Sequence, residues 1–462
     1  MSSEWPVVRL ADITSILGDG LHGTPEYDET GEYYFINGNN LSNGKIIFNE
    51  NTKRCAESEY HKHKKNLNDR TLLVSINGTL GNIALYNGEK VFLGKSACYF
   101  NVLDSVDRLF VRYILSGRIF QNYIHNLANG STIKNVSLKL MRDFSFQLPP
   151  LKIQKIVSSI LGSLDNKIGL NNQTNQTLEQ IAQAIFKSWF VAFDPVKAKI
   201  AALESGGTKE AAELAAMSVI SGKDEAQLVQ LKLQDADAYQ QLAQTAALFP
   251  AAMQESELGD IPEGWNTKPL DSIAHYQNGL ALQKFRPEDD SNYLPIVKIA
   301  DLKKGIADHT EKASPDIKPT SVIDNGDVVF SWSGSLMVDI WCGGKAALNQ
   351  HLFKVTSSQY PKWFFHLFTK HHLEEFQRIA AAKAVTMGHI KKEHLTQAIC
   401  VVPCDDILLV GNKVIGYLID KQIKLRLENN LLTELRDSLL PKLLSGEISI
   451  TDLEGSQKEL TE

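Results

Sequence analysis

The stretch GEKVFLGKS at 88–96 comes nearest to a catalytic loop, because a phosphate-binding loop needs two glycines, a lysine and a serine at fixed spacing. It fails on that spacing. Five residues separate Gly88 from Gly94 where the loop needs four, and Glu89 takes a glycine position. No G-x-G-x-x-G follows a strand, and neither H-E-x-x-H nor G-x-S-x-G occurs. An Asn or Asp followed by Pro-Pro-aromatic, the pocket of an amino-methyltransferase, is also missing. The twelve histidines are scattered, and His61, His63, His371 and His372 read as surface residues. Cys400 and Cys404 stand at C-x3-C without a second pair, so no zinc set is expected.

What remains is polar and non-catalytic. Amides and hydroxyls reach base edges, and lysines reach phosphates. In the first part of the chain His22, Thr24, Asn37, Asn39, Lys62, Lys64, Lys65, Asn77, Thr79 and Lys134 fall in or beside turns. In the second part Lys284, Lys298, Ser333, Ser335, Asn349, Gln350, His351 and Lys391 do the same. These are the candidate DNA contacts; no catalytic or metal-binding residue is expected.

The elements that carry them come in two sets. Residues 1–148 alternate short apolar runs with Gly/Asn/Thr turns: GDGLHGTP at 18–25, FINGNNLSNGKI at 35–46, LLVSINGTLGNIALYNG at 72–88. Such runs read as short strands in a mixed α/β domain, closed by GSTIKNVSLKLM at 130–141. A long helix is predicted over 149–195, between Pro149-Pro150 and a stop at Asp194-Pro195. Ile168, Asn171, Asn175, Leu178, Ala182, Ile185 and Trp189 form its seam. Buried Asn in such a seam fixes register. Gly162 and Gly169 predict a kink or a frayed start. A second long helix is predicted over 403–448, capped by Asp405 or Asp406 and ended by Gly446. Leu418, Leu425, Leu432 and Leu439 recur every seven residues with Leu435 beside them, and Pro441 predicts a kink. Asp165, Asn175, Glu179 and Lys187 match Asp420, Asn430, Glu434 and Lys442 at an offset of 255.

The repeat extends to the domains. Trp5, Leu10 and Ile13 match Trp265, Leu270 and Ile273; Ser75 and Gly78 match Ser331 and Gly334; Thr132 matches Thr386 and Pro149 matches Pro403. A drifting offset is what loop insertions produce. The predicted order is a first domain (1–148), a long helix (149–195), a helical acidic insert or linker (196–260) with two or three surface helices over 196–250, a second domain (261–402), a second long helix (403–448) and an acidic tail (449–462). The fold class is α+β: two α/β domains in a pseudo-two-fold arrangement, separated by two long antiparallel helices forming a coiled coil.

The 462 residues are 43% hydrophobic and 22% charged, an ordinary globular composition. No apolar run is long enough to span a membrane, and MSSEWPVVRLADI lacks a signal pattern. Five cysteines fit a reducing cytoplasm. The net charge of −6 argues against nucleic acid until it is located. Residues 194–260 hold eleven acidic against five basic side chains, which accounts for all of it.

The chain resembles the specificity (S) subunits of type I restriction–modification enzymes, the HsdS family, over nearly its full length. LPPLKIQKIV, LDNKIGLN and NQTLEQIAQAIFKSWFVAFDPV resemble the family's first conserved helical region. ELGDIPEGW at 257–265, KAALNQHLFKV at 345–355 and LRDSLLPKLLSGEI at 435–448 follow in the family's order. The resemblance implies a non-catalytic DNA-recognition subunit. Each target recognition domain would read one half of a bipartite, asymmetric site in double-stranded DNA. The helices would set the spacer and dock two modification subunits. S-adenosylmethionine, ATP and Mg would belong to the modification and restriction subunits, and none to this chain. A free-standing DNA-modifying or DNA-cleaving enzyme, or a helical scaffold in phage defence that reads no sequence, stays open at this point.

Overall fold

The structure is a computed structural model and describes residues 5–128, 134–289, 291–306, 310–382 and 388–448. The Thr132/Thr386 match and the tail at 449–462 lie outside the described residues. The chain divides into two compact units, Met1–Ile168 with Leu431–Glu462, and Gly169–Asn430. Each long helix therefore contributes to both units.

In the first unit, a four-stranded antiparallel sheet runs in the order Thr14–Asp19, Ala97–Val102, Thr71–Ser75, Ile83–Leu85. A three-stranded sheet sets Tyr33–Ile36 between Arg54–Cys55 and Val91–Leu93, the latter pair parallel. The two central strands of the larger sheet, TLLVS and ACYFNV, are buried at every position, which explains their continuous apolar runs. Val7–Arg9 pairs with Ser145–Gln147, so the start of the chain is tied to the strand that precedes the long helix.

The second unit repeats this plan. Its four-stranded sheet runs His275–Asn278, Leu352–Thr356, Val328–Ser331, Met337–Ile340. Leu294–Val297 pairs in parallel with Ala346–Leu348, and Asn266–Pro269 pairs antiparallel with Ile399–Val402. Leu10 donates its N–H to Phe144, and its repeat mate Leu270 donates to Ala398, both at 2.8 Å.

The first long helix, Leu151–Phe190, runs unbroken through Gly162 and Gly169, so no frayed start forms. Two weak helix formers cost about 1 kcal/mol each, and tertiary packing of Val157 and Leu161 overrides that. Asp194-Pro195 is more than a stop: after Phe193 in the left-handed region, it begins the next helix, with proline in the first turn. The second run starts with Asp405–Gly411, passes a wide turn at Asn412–Gly416 and continues as Tyr417–Ser445, through Pro441. Cys404 holds the cap position without a side-chain bond; Asp405 and Asp406 lie in the first turn instead. Trp363 lies against both ends of the wide turn: a Cβ at Gly411, just before it, would come within 2.5 Å of the indole, and one at Gly416 within 3.3 Å. Gly446, with φ +72°, follows the last helical residue. Leu435, placed beside the seam by sequence, is exposed.

Within each unit the two helices pair antiparallel. In the first, Leu161 shares a core with Leu443, and Asp165 meets Arg436. In the second, Asn171 meets Asn429, and Ala182 and Phe186 share a core with Ile415 and Ile419.

The insert has more structure than the sequence suggested. It forms four helices, Asp194–Glu204, Lys209–Ser221, Glu225–Gln234 and Ala236–Leu248, with a small core of Ala216, Met217, Leu228 and Ala246. A hairpin of Met253–Ser256 with Gly259–Pro262 follows, past the stretch read as helices. Asp235 supplies the unforeseen break, capping the last helix through Ala238 N–H.

Candidate nucleic-acid interface

In the first unit the turns after several strands converge through backbone hydrogen bonds. Leu21 N–H donates to Leu93 at 2.7 Å, and Gly94 N–H to Ile36 at 2.8 Å. The Gly38 N–H donates to Ser96 Oγ at 2.9 Å, and that hydroxyl donates to Asn37 Oδ1 at 2.8 Å. Ile76 N–H reaches Ser96 at 2.9 Å, Gly78 N–H reaches Lys134 at 3.1 Å, and Asn77 bridges Asn135. Ser75 Oγ closes the turn on the Thr79 carbonyl. Asn37, Asn39, Asn77, Thr79 and Lys134 are thus brought into one ring of turns.

The second unit builds the same ring. Leu280 N–H donates to Leu348 at 2.9 Å, and Asn349 N–H to Val297 at 3.1 Å. Gly334 N–H reaches Gly388 at 2.8 Å, Ile390 N–H reaches Trp332 at 3.1 Å, and Ser333 bridges His389. Ser331 Oγ donates to the Ser333 carbonyl at 3.1 Å. The sharp entry to each ring demands glycine. A Cβ on Gly20 would lie 2.1 Å from the Leu93 carbonyl oxygen, and one on Gly279 would lie 2.2 Å from that of Leu348.

The second ring carries different side chains. Ser333 Oγ and His351 Nδ1 are 3.0 Å apart, and Gln350 Nε2 is 3.3 Å from His351 Nε2. His351 N–H donates to Asn349 Oδ1 at 3.2 Å. Trp332 lies between His351 and His389, with ring centres 5.9 and 6.2 Å away. Its indole N–H is buried without a hydrogen-bond partner. Lys298 adjoins this group, its backbone N–H held by Asp301 at 3.0 Å and its ammonium paired with Glu311. Ser335 is exposed one residue past Gly334. Lys391 is exposed one residue past Ile390, with its ammonium 3.5 Å from Glu393. Ser333, Asn349, Gln350, His351 and Lys298 therefore belong together, with Ser335 and Lys391 at their margin. Lys284 is exposed in the separate turn Leu282–Lys284.

Other candidates in the first unit lie apart. His22 is one residue past the Leu21–Gly94 bridge, but its ring turns back to Asp19 at 2.7 Å. Thr24 is exposed further along that loop. Lys62 lies in the last turn of the helix Glu57–His63 and pairs with Glu59 at 3.1 Å; Lys64 and Lys65 follow the helix. Tyr60 holds that helix by stacking on Tyr33 at 4.1 Å. Among the described residues, no hydrogen bond links these lysines to the ring.

Sequence reasoning missed Lys95, Ser96, Asn135, Trp332 and His389. The repeat held the signal for three of them. Asn349-Gln350-His351 transposed by 255 falls on Gly94-Lys95-Ser96, and the match of Thr132 with Thr386 carries His389 onto Asn135. Reading GEKVFLGKS only as a failed phosphate loop conceals that role.

Each recognition fold is tied to a long helix by charge. Arg112 Nη1 and Tyr113 OH donate to Asp165 Oδ2 at 2.7 and 2.9 Å, and Arg436 Nη1 donates to Oδ1 at 3.0 Å. Burial works to raise the Asp165 carboxyl, but Arg112, Arg436 and Tyr113 outweigh it and hold it below the usual carboxylate range. In the second unit Arg426 grips Asp339 with two bonds of 2.9 Å. Among the described residues, no group of His, Cys, Asp and Glu could hold a metal ion, and no helix is long and apolar enough to cross a membrane.

The sequence model of the family described as the type I restriction modification DNA specificity domain matches residues 2–180 and 262–436. The chain belongs to this family. It is 29% identical over 333 residues to the type I restriction enzyme HindI specificity subunit of Haemophilus influenzae, covering 70% of this chain and 72% of that one. It is 21% identical over 471 residues to the MjaIX specificity subunit of Methanocaldococcus jannaschii, covering 97% and 95%. The fold is shared with the crystal structure of a type I restriction-modification S subunit from M. genitalium, with a TM-score of 0.50 at 16% identity over 95% of this chain and 96% of that one. The family match stops at 180 and resumes at 262, so most of the insert lies outside it.

Proposed function

We propose that the two rings of turns read the two halves of a bipartite, asymmetric site in double-stranded DNA. The chain is the DNA sequence-specificity subunit of a type I restriction–modification complex and is not itself an enzyme. One observation carries the assignment of the rings. The same backbone scaffold occurs twice with different side chains, Asn37, Asn77, Lys95 and Ser96 in one and Lys298, Ser333, Gln350 and His351 in the other. A scaffold held by main-chain bonds leaves its side chains free to differ, which is what two half-site readers need.

In this reading residues 1–148 and 261–402 are the recognition modules, and the helices at 149–195 and 403–448 set the spacer and dock two modification subunits. Those partners supply S-adenosylmethionine chemistry on adenine, and restriction subunits supply ATP- and Mg-dependent cleavage, in the cytoplasm. The paired helices act as a ruler: four residues inserted near Asn175 add about 5.4 Å.

The test is methylome sequencing of cells carrying the chain and its modification subunits. Substituting Gln350 and His351 by Ala should relax one half-site only, with a loss of about 1–3 kcal/mol of discrimination per lost base contact. Lys95→Ala with Ser96→Ala should relax the other. Relaxation of both half-sites by either variant overturns the assignment.

A further inference from the structure

Asn171 and Asn429 are buried in the helix seam of the second unit, 2% and 9% exposed. Their amides are satisfied by one another and by their neighbours. Asn171 Nδ2 donates to Asn429 Oδ1 at 2.9 Å and to Glu428 Oε2 at 2.8 Å, and Asn429 Nδ2 donates to Asn172 Oδ1 at 2.8 Å. Asn175, the next seam amide, makes no such pair; its Oδ1 is buried without a partner.

The apolar seam cannot define register alone. Leu418 and Leu425 stand seven residues apart on the second helix, so a heptad slip replaces one leucine by the other. A slip of one turn, by contrast, puts Asn171 opposite Leu425 and strands both buried amides among side chains that cannot bond them. The amide pair therefore penalises a one-turn slip directly and gives the seam a register mark that its repeating leucines lack.

We propose that Asn171 and Asn429 are positioning residues that fix the register of the two long helices, and through it a single spacer length between the half-sites. This rests on the reading of the helices as the spacer ruler. A register error of one turn shifts one helix along the other by about 5.4 Å, or one to two base pairs at roughly 3.4 Å each. The pin thus converts a length into one permitted spacer.

The experiment compares the natural chain with the double variant Asn171→Leu, Asn429→Leu. Replacing both amides removes the buried donors and acceptors together, and the half-buried Glu428 and exposed Asn172 that accepted from them can bond water instead, so the variant should melt no lower than the parent. In methylome sequencing with the modification subunits, the parent should give one bipartite motif, and the variant the same half-sites with more than one spacer length. A second measurement needs no activity. With the exposed Cys404 replaced by Ser, spin labels at the exposed positions Gln173 and Lys424 should give one narrow distance distribution in the parent and a broadened or split one in the variant. A distribution as narrow as the parent's overturns the pin. A broadened distribution with a single spacer overturns its link to the spacer. Absence of any bipartite motif in the parent defeats the ruler reading itself.

Discussion

The two rings share a skeleton and differ in chemistry. In both, a parallel strand pair brings two turns together: Tyr33–Ile36 beside Val91–Leu93 in the first unit, Leu294–Val297 beside Ala346–Leu348 in the second. In both, a glycine enters at the same close approach to a leucine carbonyl. The first ring is built of small amides and hydroxyls around Asn37, Asn77 and Ser96; the second packs His351 and His389 against Trp332. Main-chain bonds make the shape, so side-chain identity can change without loss of fold.

The supports under the rings differ as well. Asp165 is 18% exposed and serves three donors, whereas Asp339 is 31% exposed and serves Arg426. Asp165→Ala strips the part-buried Arg112 of its carboxylate partner and leaves Arg436 with Asp437 alone, and should cost about 3 kcal/mol. Asp339→Ala should cost about 1 kcal/mol, because water screens that pair. Equal losses in denaturant unfolding would show that exposure does not distinguish the two ties.

Acid should separate the units next. Burial, reinforced by Lys370, Arg426 and Lys362, pushes His366 down to about 3, and burial beside His371 pushes His372 down to about 4. Both lie in the second unit, while His22, His61 and His125 of the first are exposed. Below about pH 6.5 the unfolded chain binds protons that these folded imidazoles refuse, so stability falls with pH until each titrates in place. At pH 5 each costs about 2 kcal/mol relative to pH 7. Asp165 acts in a lower window: its depressed carboxyl contributes fully above the unfolded value and is lost only as pH falls through the folded one. Hydrogen exchange resolved by unit should show the second opening first at pH 5, and His366→Leu should shrink that difference without abolishing it, because His371 and His372 are also depressed by burial. Simultaneous opening would deny the buried histidines this role.

The smallest effect concerns Lys62, Lys64 and Lys65, which lie apart from the ring. Replacing all three by Gln should lower the salt slope of DNA binding by about two, since each phosphate contact contributes about one and Lys62 is engaged by Glu59. An unchanged slope removes the cluster from the interface.

Much of this architecture is legible in the chain because it is local or repeated. Prolines and Asn/Gly turns mark where strands stop, and the heptad leucines mark the second helix. The duplication is visible in Trp5/Trp265 and in Leu10/Leu270, and the structure places the two leucines on equivalent hydrogen bonds. Seam periodicity also put Asn171 at a position where burial requires a partner. Composition located the acidic insert, but its fourth helix depends on a cap at Asp235 that the pattern did not single out.

Tertiary structure alone decided which turns meet. Ser96 reaches Asn37 across 59 residues, and Arg426 reaches Asp339 across 87, through strand order and helix pairing that no window of sequence contains. It also decided which of two seam amides became a pin, because Asn429 faces Asn171 and leaves the Asn175 oxygen unpaired. The sequence determined the elements and their duplication, since caps, turns and periodicity act within a few residues. The rings, the charged ties and the register depend on contacts between distant segments, which form only once the strands and helices have packed.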